Sequence, residues 1–306
     1  MLRYIARRLL FLIPVLFVIS IVTFSMAHAV PGGPFDREHR LPPEIIANLN
    51  KYYGLDQPVW KQYAKYMGDI LLRWDFGPMY SSRSRRVNDI FREHLPVSAA
   101  LGIYSLLLAL GIGVPLGIVS AMRQNTIWDY LCMGIAIFGI SVPSMVLGPL
   151  LILVFALTLK WVPVAGWGSP AQIIMPTIAL GMGESAILAR LTRASMLQVI
   201  REDYIRTARA KGLAERAIMV RHALKNAFIP VATVLGPLFA AVVTGTFIVE
   251  QIFAVPGLGK YFITSISNRD YPVIMGTILL YAVILVLANL AVDITYAFLD
   301  PRIVYT

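Results

Sequence analysis

Six apolar runs punctuate the chain, at residues 9–30, 97–121, 130–159, 173–197, 229–252 and 273–299. A helix needs about 20 apolar residues to cross a hydrocarbon core of about 30 Å, and each run is long enough. The pattern predicts an all-α integral membrane protein with six transmembrane helices, organised as one domain over residues 1–306. The first run follows Arg3, Arg7 and Arg8 and ends at Ala27-His28-Ala29, which is also the grammar of a signal peptide. It exceeds the roughly 7 to 15 apolar residues of such a peptide, so it reads as a retained span. Gly111, Gly113, Pro115, Gly117, Pro143, Pro149, Gly181, Gly183, Gly236 and Pro237 all fall inside the runs. Residues of this kind break soluble helices, but in a lipid-buried bundle they predict close packing and kinks.

The polar stretches between the runs set the orientation. Arg3, Arg7, Arg8, Arg123, the cluster from Arg190 to Lys225, and Arg302 would share one side, while the opposite short loops hold Lys160, Lys260 and Arg269. The basic side is cytoplasmic, so both termini are expected inside. The segment 31–96 is then extracytoplasmic, and segments of this length are largely exempt from the charge rule. Pro42 and Pro43 open a helical stretch to Tyr53, which Gly54 ends, and a second stretch runs from Pro58 towards Trp74. Trp60, Tyr63 and Tyr66 on the second fit a helix lying at the membrane interface better than a docking face for a partner.

Composition sharpens the class. Hydrophobic residues make up 58% of the chain and charged residues 14%, far from a soluble domain. The formal net charge of +10 could suggest nucleic acid, yet the basic residues sit in short segments between apolar runs, so no nucleic acid is expected as a partner. Cys132 is the single cysteine, which rules out an intrachain disulfide. His28, His39, His94 and His222 lack metal-ligand spacing, and no nucleophile elbow or paired-carboxylate site is present, so neither a metal site nor catalysis is expected. Pro256-Gly257-Leu258-Gly259-Lys260-Tyr261 lacks the earlier glycine and the following Ser or Thr of a phosphate loop.

The most informative polar stretch is 198–228. Glu202 and Asp203 begin a helix that turns basic at Arg206, Arg209 and Lys211 and halts at Gly212, so its charges complement the macrodipole and the glycine supplies a left-handed stop. Ala208 and Gly212 are four apart, a spacing that would let another protein's backbone approach one small-residue face. A second helix is expected from Ala214 to Asn226, bearing Arg216, Arg221, His222 and Lys225, before Pro230 opens the next span. Physical reasoning leaves two readings of this loop: a docking element, or a basic anchor for phospholipid headgroups.

Ala208, Gly212 and the Arg221-His222-Ala223-Leu224-Lys225-Asn226-Ala227 run ending at Pro230 resemble the EAA loop of binding-protein-dependent ABC importer permeases. The peptide-transport branch is the nearer match, with Arg206-Thr207-Ala208-Arg209-Ala210-Lys211-Gly212-Leu213 in place of the Glu-Ala-Ala opening. Arg206 stands where the general motif has glutamate, and Lys225 where it has proline; both departures are typical of peptide permeases. Further likeness to the B-subunit permeases of that branch runs along the chain: Arg7-Arg8 before Pro14, Leu41-Pro42-Pro43, Tyr53-Gly54-Leu55-Asp56, Asp75-Phe76-Gly77, Leu95-Pro96-Val97-Ser98, Arg123 to Asp129, Ser141-Val142-Pro143-Ser144, Glu250 to Gly259, Asn268 to Tyr271, and Asp300-Pro301-Arg302. The outer segment from Leu41 favours the oligopeptide over the dipeptide member.

The resemblance implies a permease subunit of an ATP-driven peptide importer in a bacterial inner membrane. Its partners would be a second, related permease, two ATPase subunits carrying ATP and Mg, and an extracytoplasmic substrate-binding protein; this chain itself would bind no cofactor. Nickel, heme and glycosides are the alternative substrates of the branch. An ion-driven transporter is the rival class, and it would need paired intramembrane acids in two repeated halves, where only Glu184 is central. Under the resemblance, Arg206, Thr207, Ala208, Arg209, Ala210, Lys211, Gly212, Leu213, Arg221 and His222 form the ATPase-coupling loop. Glu184, Ser141 and Pro143 are the expected translocation-path residues, and Glu250, Pro256 and Gly257 the expected outer gate. Glu184 could instead be protonated or bonded to a neighbouring helix, and Asp293 near the cytoplasmic end would be structural, with Arg302 as partner.

Overall fold

The structure is a computed structural model that describes residues 2–30, 32–35, 42–82 and 84–299. His39, Leu41 and the Asp300-Pro301-Arg302 run lie outside the described residues, as do the side chains of Arg3 and Arg8. The described residues form helices and no strand: α1 (Leu2–Ala29), α2 (Pro43–Tyr53), α3 (Val59–Arg73), α4 (Val87–Met122), α5 (Ile127–Ser141), α6 (Ser144–Leu151), α7 (Pro170–Val199), α8 (Asp203–Ala210), α9 (Glu215–Ala217), α10 (Leu224–Val243), α11 (Phe247–Ile252), α12 (Gly259–Asn268) and α13 (Tyr271–Leu299). Two π-helical segments, Ile152–Thr158 and Ile218–Ala223, continue α6 and join α9 to α10.

Among the described residues five helical stretches are long and apolar enough to cross a membrane: Leu9–Ala29, Val87–Met122, Pro170–Val199, Glu215–Val243 and Tyr271–Thr295. A bent pair, Ile127–Ser141 with Ser144–Thr158, meets the same criterion when its two helices are taken together, which gives up to six. The bend is 100° and falls at Val142-Pro143. A residue before proline is pushed out of the helical region, and Val142 sits at φ −97°, ψ 107°. The apolar run 130–159 is therefore two helices rather than one. The run 229–252 is likewise divided: α10 ends at Val243, Gly245 takes φ +105°, and α11 starts anew. In α4 the helix begins ten residues before the apolar run, because Arg86 N–H donates to Asp89 (2.9 Å) and caps a polar first turn that hydropathy cannot register.

The centre of the bundle is α4 against α7. Gly113 lies against the Ser185 carbonyl and Leu188, Gly117 against the Ala189 carbonyl and Thr192, and Gly181 of α7 against the Ser105 carbonyl of α4. Partner numbers rise together, so the two helices run parallel, with glycines four apart at their closest approach. In lipid no hydrophobic force draws helices together, so small residues that admit backbone contact supply the packing. Gly139 of α5 meets the Met182 carbonyl of α7, and Gly102 of α4 meets the backbone at Val242 of α10. α13 packs on α10 and α1, and α1 keeps one bare apolar side, with Leu10 65% and Ile13 63% exposed.

Candidate coupling site

α8 crosses the end of the bundle where α7 finishes and α10 begins. Its stop is a Schellman arrangement: Gly212 sits at φ +74°, its N–H donates to the Arg209 carbonyl (2.9 Å), and the Leu213 N–H reaches the Ala208 carbonyl (3.3 Å). Arg209 then bridges the turn, with Nη2 at 2.6 Å and Nε at 3.2 Å from the Glu215 carboxylate. The left-handed glycine and this two-pronged ion pair fix the angle at which the chain re-enters the bundle.

One face of α8 is internal. Ile205 and Ala208 are buried with Ala121 of α4, Met196 of α7, and Ile218, Met219 and Ala223 of the π-helical segment. Ala208 and Gly212 thus do not present one open face: the alanine is small because it packs inside this chain, whereas no atom lies within 4 Å of where a Cβ on Gly212 would stand. The outward side carries Arg206, Thr207, Arg209, Ala210, Lys211, Gly212 and Leu213, all exposed, and Arg221 and Val220 extend it. His222 is half-buried beside Tyr204, whose hydroxyl accepts from Asn226 Nδ2 at 2.7 Å. The π-helical register over Ile218–Ala223 widens the turn there and lets both Val220 and Arg221 face out.

A buried ion pair ties this end of the bundle together, and the sequence reading passed over it. Asp129 at the start of α5 accepts from Arg193 of α7 through both oxygens, Nε to Oδ1 at 2.9 Å and Nη2 to Oδ2 at 2.8 Å. Ser120 of α4 and the backbone N–H of Asn125 (2.9 Å) complete its shell. The Asp129 side chain is 4% exposed and that of Arg193 28%. Three helices therefore share one carboxylate, a single turn away from Met196, on which α8 rests. The signal in the sequence is an acid at the threshold of the apolar run 130–159 and an arginine inside the run 173–197; only the bundle topology pairs them.

At the opposite end, Glu250 organises a hairpin. Its Oε1 accepts from Ser98 of α4 (2.6 Å) and its Oε2 from the Gly259 N–H (2.9 Å), while Ser98 Oγ also accepts the Leu258 N–H (2.7 Å). Gly245, Gly257 and Gly259 press on the carboxylate, leaving no space for a Cβ. The Pro256 carbonyl bonds His94 of α4 at 2.8 Å. Glu250, Pro256 and Gly257 are thus gathered in one place, buttressed on α4. Each buried donor left without its acceptor costs about 1–3 kcal/mol. Glu250→Ala, which strands the Ser98 hydroxyl and the Gly259 N–H, is expected to lower thermal stability by that order, with Glu250→Gln losing less; a thermal-shift assay on the solubilised protein reads both.

Glu184 lies midway along α7, half-buried, with Oε2 making no hydrogen bond among the described residues. Ser141 and Pro143 stand exposed at the α5–α6 bend, and no hydrogen bond joins them to Glu184 among the described residues. Among those residues no group of His, Cys, Asp and Glu could hold a metal ion. Asp293, half-buried on α13, has a partner within the fold.

Known proteins resemble the chain from end to end. Residues 113–305 match the family described as binding-protein-dependent transport system inner membrane component, and residues 1–102 match the N-terminal region of the same transport-system membrane components. The chain is 46% identical over 303 residues to the dipeptide transport system permease protein DppB of Bacillus subtilis, covering 99% of this chain and 98% of that one. It is 44% identical over 307 residues to the oligopeptide transport system permease protein OppB of Salmonella typhimurium, covering all of both. In fold it is similar to a chain of the inward-facing MetNI methionine ABC transporter, with a TM-score of 0.56, 20% identity, and coverage of 70% of this chain and 97% of that one. The helical bundle, its glycine-notched centre and these matches together make the chain a member of the family of binding-protein-dependent transport system inner membrane components.

Proposed function

We propose that this chain is the permease subunit of an ATP-driven peptide importer, and that residues 203–226 receive the ATPase stroke. The observation that carries the peptide reading is likeness over the full length to permeases named for dipeptide and oligopeptide transport. Relatives of both names match equally far, so the outer segment does not select the oligopeptide member; competition of uptake by peptides of graded length does. The partners in this reading are a second permease, two ATPase subunits that hold ATP and Mg, and an extracytoplasmic binding protein. Both termini lie in the cytoplasm, and the chain itself performs no chemistry.

The coupling role is supported by the division of α8 into a buried and an exposed face. Its exposed side, from Arg206 to Leu213 with Arg221 and His222 beyond the turn, meets the ATPase. Its buried side rests on Met196 of α7 and on the π-helical segment leading into α10, so displacement of α8 pushes both helices at once. Arg193–Asp129 carries the motion of α7 to α5, and the glycine notches carry it to α4. These helices move as one body, a bistable element that nucleotide binding biases between inward and outward states. At the far end the Glu250 hairpin, braced on the same α4, opens or closes the outer mouth. Glu184, Ser141 and Pro143 line the path, with Glu184 offering a carboxylate to a peptide's amino terminus.

A side chain at φ +74° is strained by about 1–2 kcal/mol, most for a β-branched residue. Gly212→Val is expected to leave the protein in the membrane at normal levels while peptide uptake falls about tenfold and ATP turnover persists. Gly212→Asn, which tolerates the left-handed region, should retain uptake. Parallel assays of uptake and ATP hydrolysis in proteoliposomes decide it, and normal transport by Gly212→Val would count against the coupling role.

A further inference from the structure

A cavity of about 610 Å3 lies where α1 ends and α13 begins, closed on its third side by α3 and the turn that follows it. None of the coupling machinery reaches it. Its carboxylates are already matched: Asp75 pairs with Arg86, and Asp69 with Arg73 at 3.6 Å. Lys61 and Lys65, one turn apart on α3, line the same cavity, and neither has a carboxylate within ion-pair distance among the described residues. Among the described residues the cavity is therefore lined by two lysines without a carboxylate partner, Lys61 lying over the Trp60 ring at 5.5 Å, beside tyrosines 53, 66, 80 and 271. Burial, and then the Asp270 carboxylate, push the Tyr80 phenol above its ordinary range, so it stays protonated and able to donate.

The depth of the cavity follows from its walls. α1 and α13 both cross the membrane and meet at this end. α3 seats Tyr63, Tyr66 and Ile70 against Phe24 of α1 and Met275 of α13, yet leaves Leu71 71%, Leu72 84% and Trp60 66% exposed, with Trp74 at its end 77% exposed. A helix that is polar on one side and carries bare leucine and tryptophan lies in the interface plane. α1, which α3 meets at Phe17 with the Tyr63 ring 6.4 Å away, is itself exposed at Phe17, Val18, Ile21 and Val22. The opening is at headgroup level, with acyl-compatible surface below it.

We propose that this cavity holds the headgroup of an anionic phospholipid, its phosphate between Lys61 and Lys65 and its acyl chains along α1. The lipid pins α3 to α1 and α13 at the membrane surface. A headgroup with one net negative charge offsets one of the two lysines, whereas a zwitterionic headgroup brings its own cation, offsets neither, and binds less well. The contact of α3 with the bare apolar side of α1, a helix long and apolar enough to span the membrane, favours lipid over a protein occupant.

Native mass spectrometry of the full transporter, released from nanodiscs with equal phosphatidylglycerol and phosphatidylcholine, tests this. The wild type should retain phosphatidylglycerol preferentially, and Lys61→Glu/Lys65→Glu, at two exposed positions that leave packing intact, should lose that preference about tenfold or more. Equal retention of both lipids by the wild type, or an unchanged preference in the double variant, overturns the proposal. So does displacement of the lipid by inorganic phosphate alone, which would make this a free-anion site. A double variant that keeps its lipid preference but loses binding-protein-dependent uptake would make the face a protein dock instead. Loss of lipid preference with peptide uptake intact supports the site independently of the importer reading.

Discussion

Gly113→Leu is expected to destroy the bundle, because the new side chain would have to occupy the place of the Ser185 carbonyl of α7. Backbone cannot rotate away as a side-chain tip can, so α4 and α7 must separate along their whole parallel contact. Overpacking a well-packed core costs about 1–3 kcal/mol when side chains can give, and more when backbone must shift. Here the upper end or beyond is expected, enough to remove most of the stability of a marginal fold of about 5–15 kcal/mol. Gly134→Leu on α5 is the matched control, since no atom stands within 4 Å of its added Cβ. Fluorescence-detected size-exclusion after heating should show Gly113→Leu aggregating at temperatures where Gly134→Leu and the wild type remain monodisperse. Equal stability of the two variants would mean that α4 and α7 do not meet at these glycines.

The second large effect concerns the Asp129–Arg193 pair, and its asymmetry is the test. Breaking a buried pair by removing one partner costs about 3–5 kcal/mol, because the other charge is stranded. Asp129 is almost fully enclosed while Arg193 is partly open to its surroundings. Arg193→Met leaves a buried carboxylate with only Ser120 and the Asn125 N–H, and is expected to be the worse single change. Asp129→Asn keeps hydrogen-bonding capacity and leaves an arginine that can reach water, so it should cost less, about half as much. The double variant Asp129→Asn/Arg193→Met removes both charges and should recover part of the stability lost by Arg193→Met alone. A double-mutant cycle on thermal unfolding, read beside the ratio of peptide uptake to ATP turnover, separates a brace from a transmitter. Recovered stability with uptake still low marks a transmitter; recovery of both together marks a brace alone.

How far the sequence carried this picture depends on the range of each interaction. Spans, the helices of the outer segment and the Gly212 stop were legible because they rest on local hydropathy and capping, which act within a turn or two. The bend at Val142-Pro143 was written in a dipeptide, but an unbroken apolar run hid it, since hydropathy does not register backbone direction. The division at Gly245 was hidden for the same reason. Ala208 was misread in direction: its spacing from Gly212 fitted an open face, and only tertiary contact with Met196 and Ile218 shows that it points inward. Asp129 with Arg193, and Ser98 with Glu250, were out of reach, because each joins residues on different helices whose pairing follows from bundle topology. Family likeness supplied what residue physics left open at the loop, namely that a basic, punctuated helix belongs to a binding-protein-dependent transport component.

The most direct test of the coupling claim is a cross-link from the exposed side of α8. Cys132 is the chain's single cysteine and is buried, so a cysteine introduced at Leu213, which is 44% exposed, reports without background from this chain. With the full transporter in proteoliposomes, Leu213→Cys should cross-link to an ATPase subunit, with a yield that changes between nucleotide-free and ATP-bound states. Failure to cross-link in a complex that still imports peptide on ATP would contradict the account.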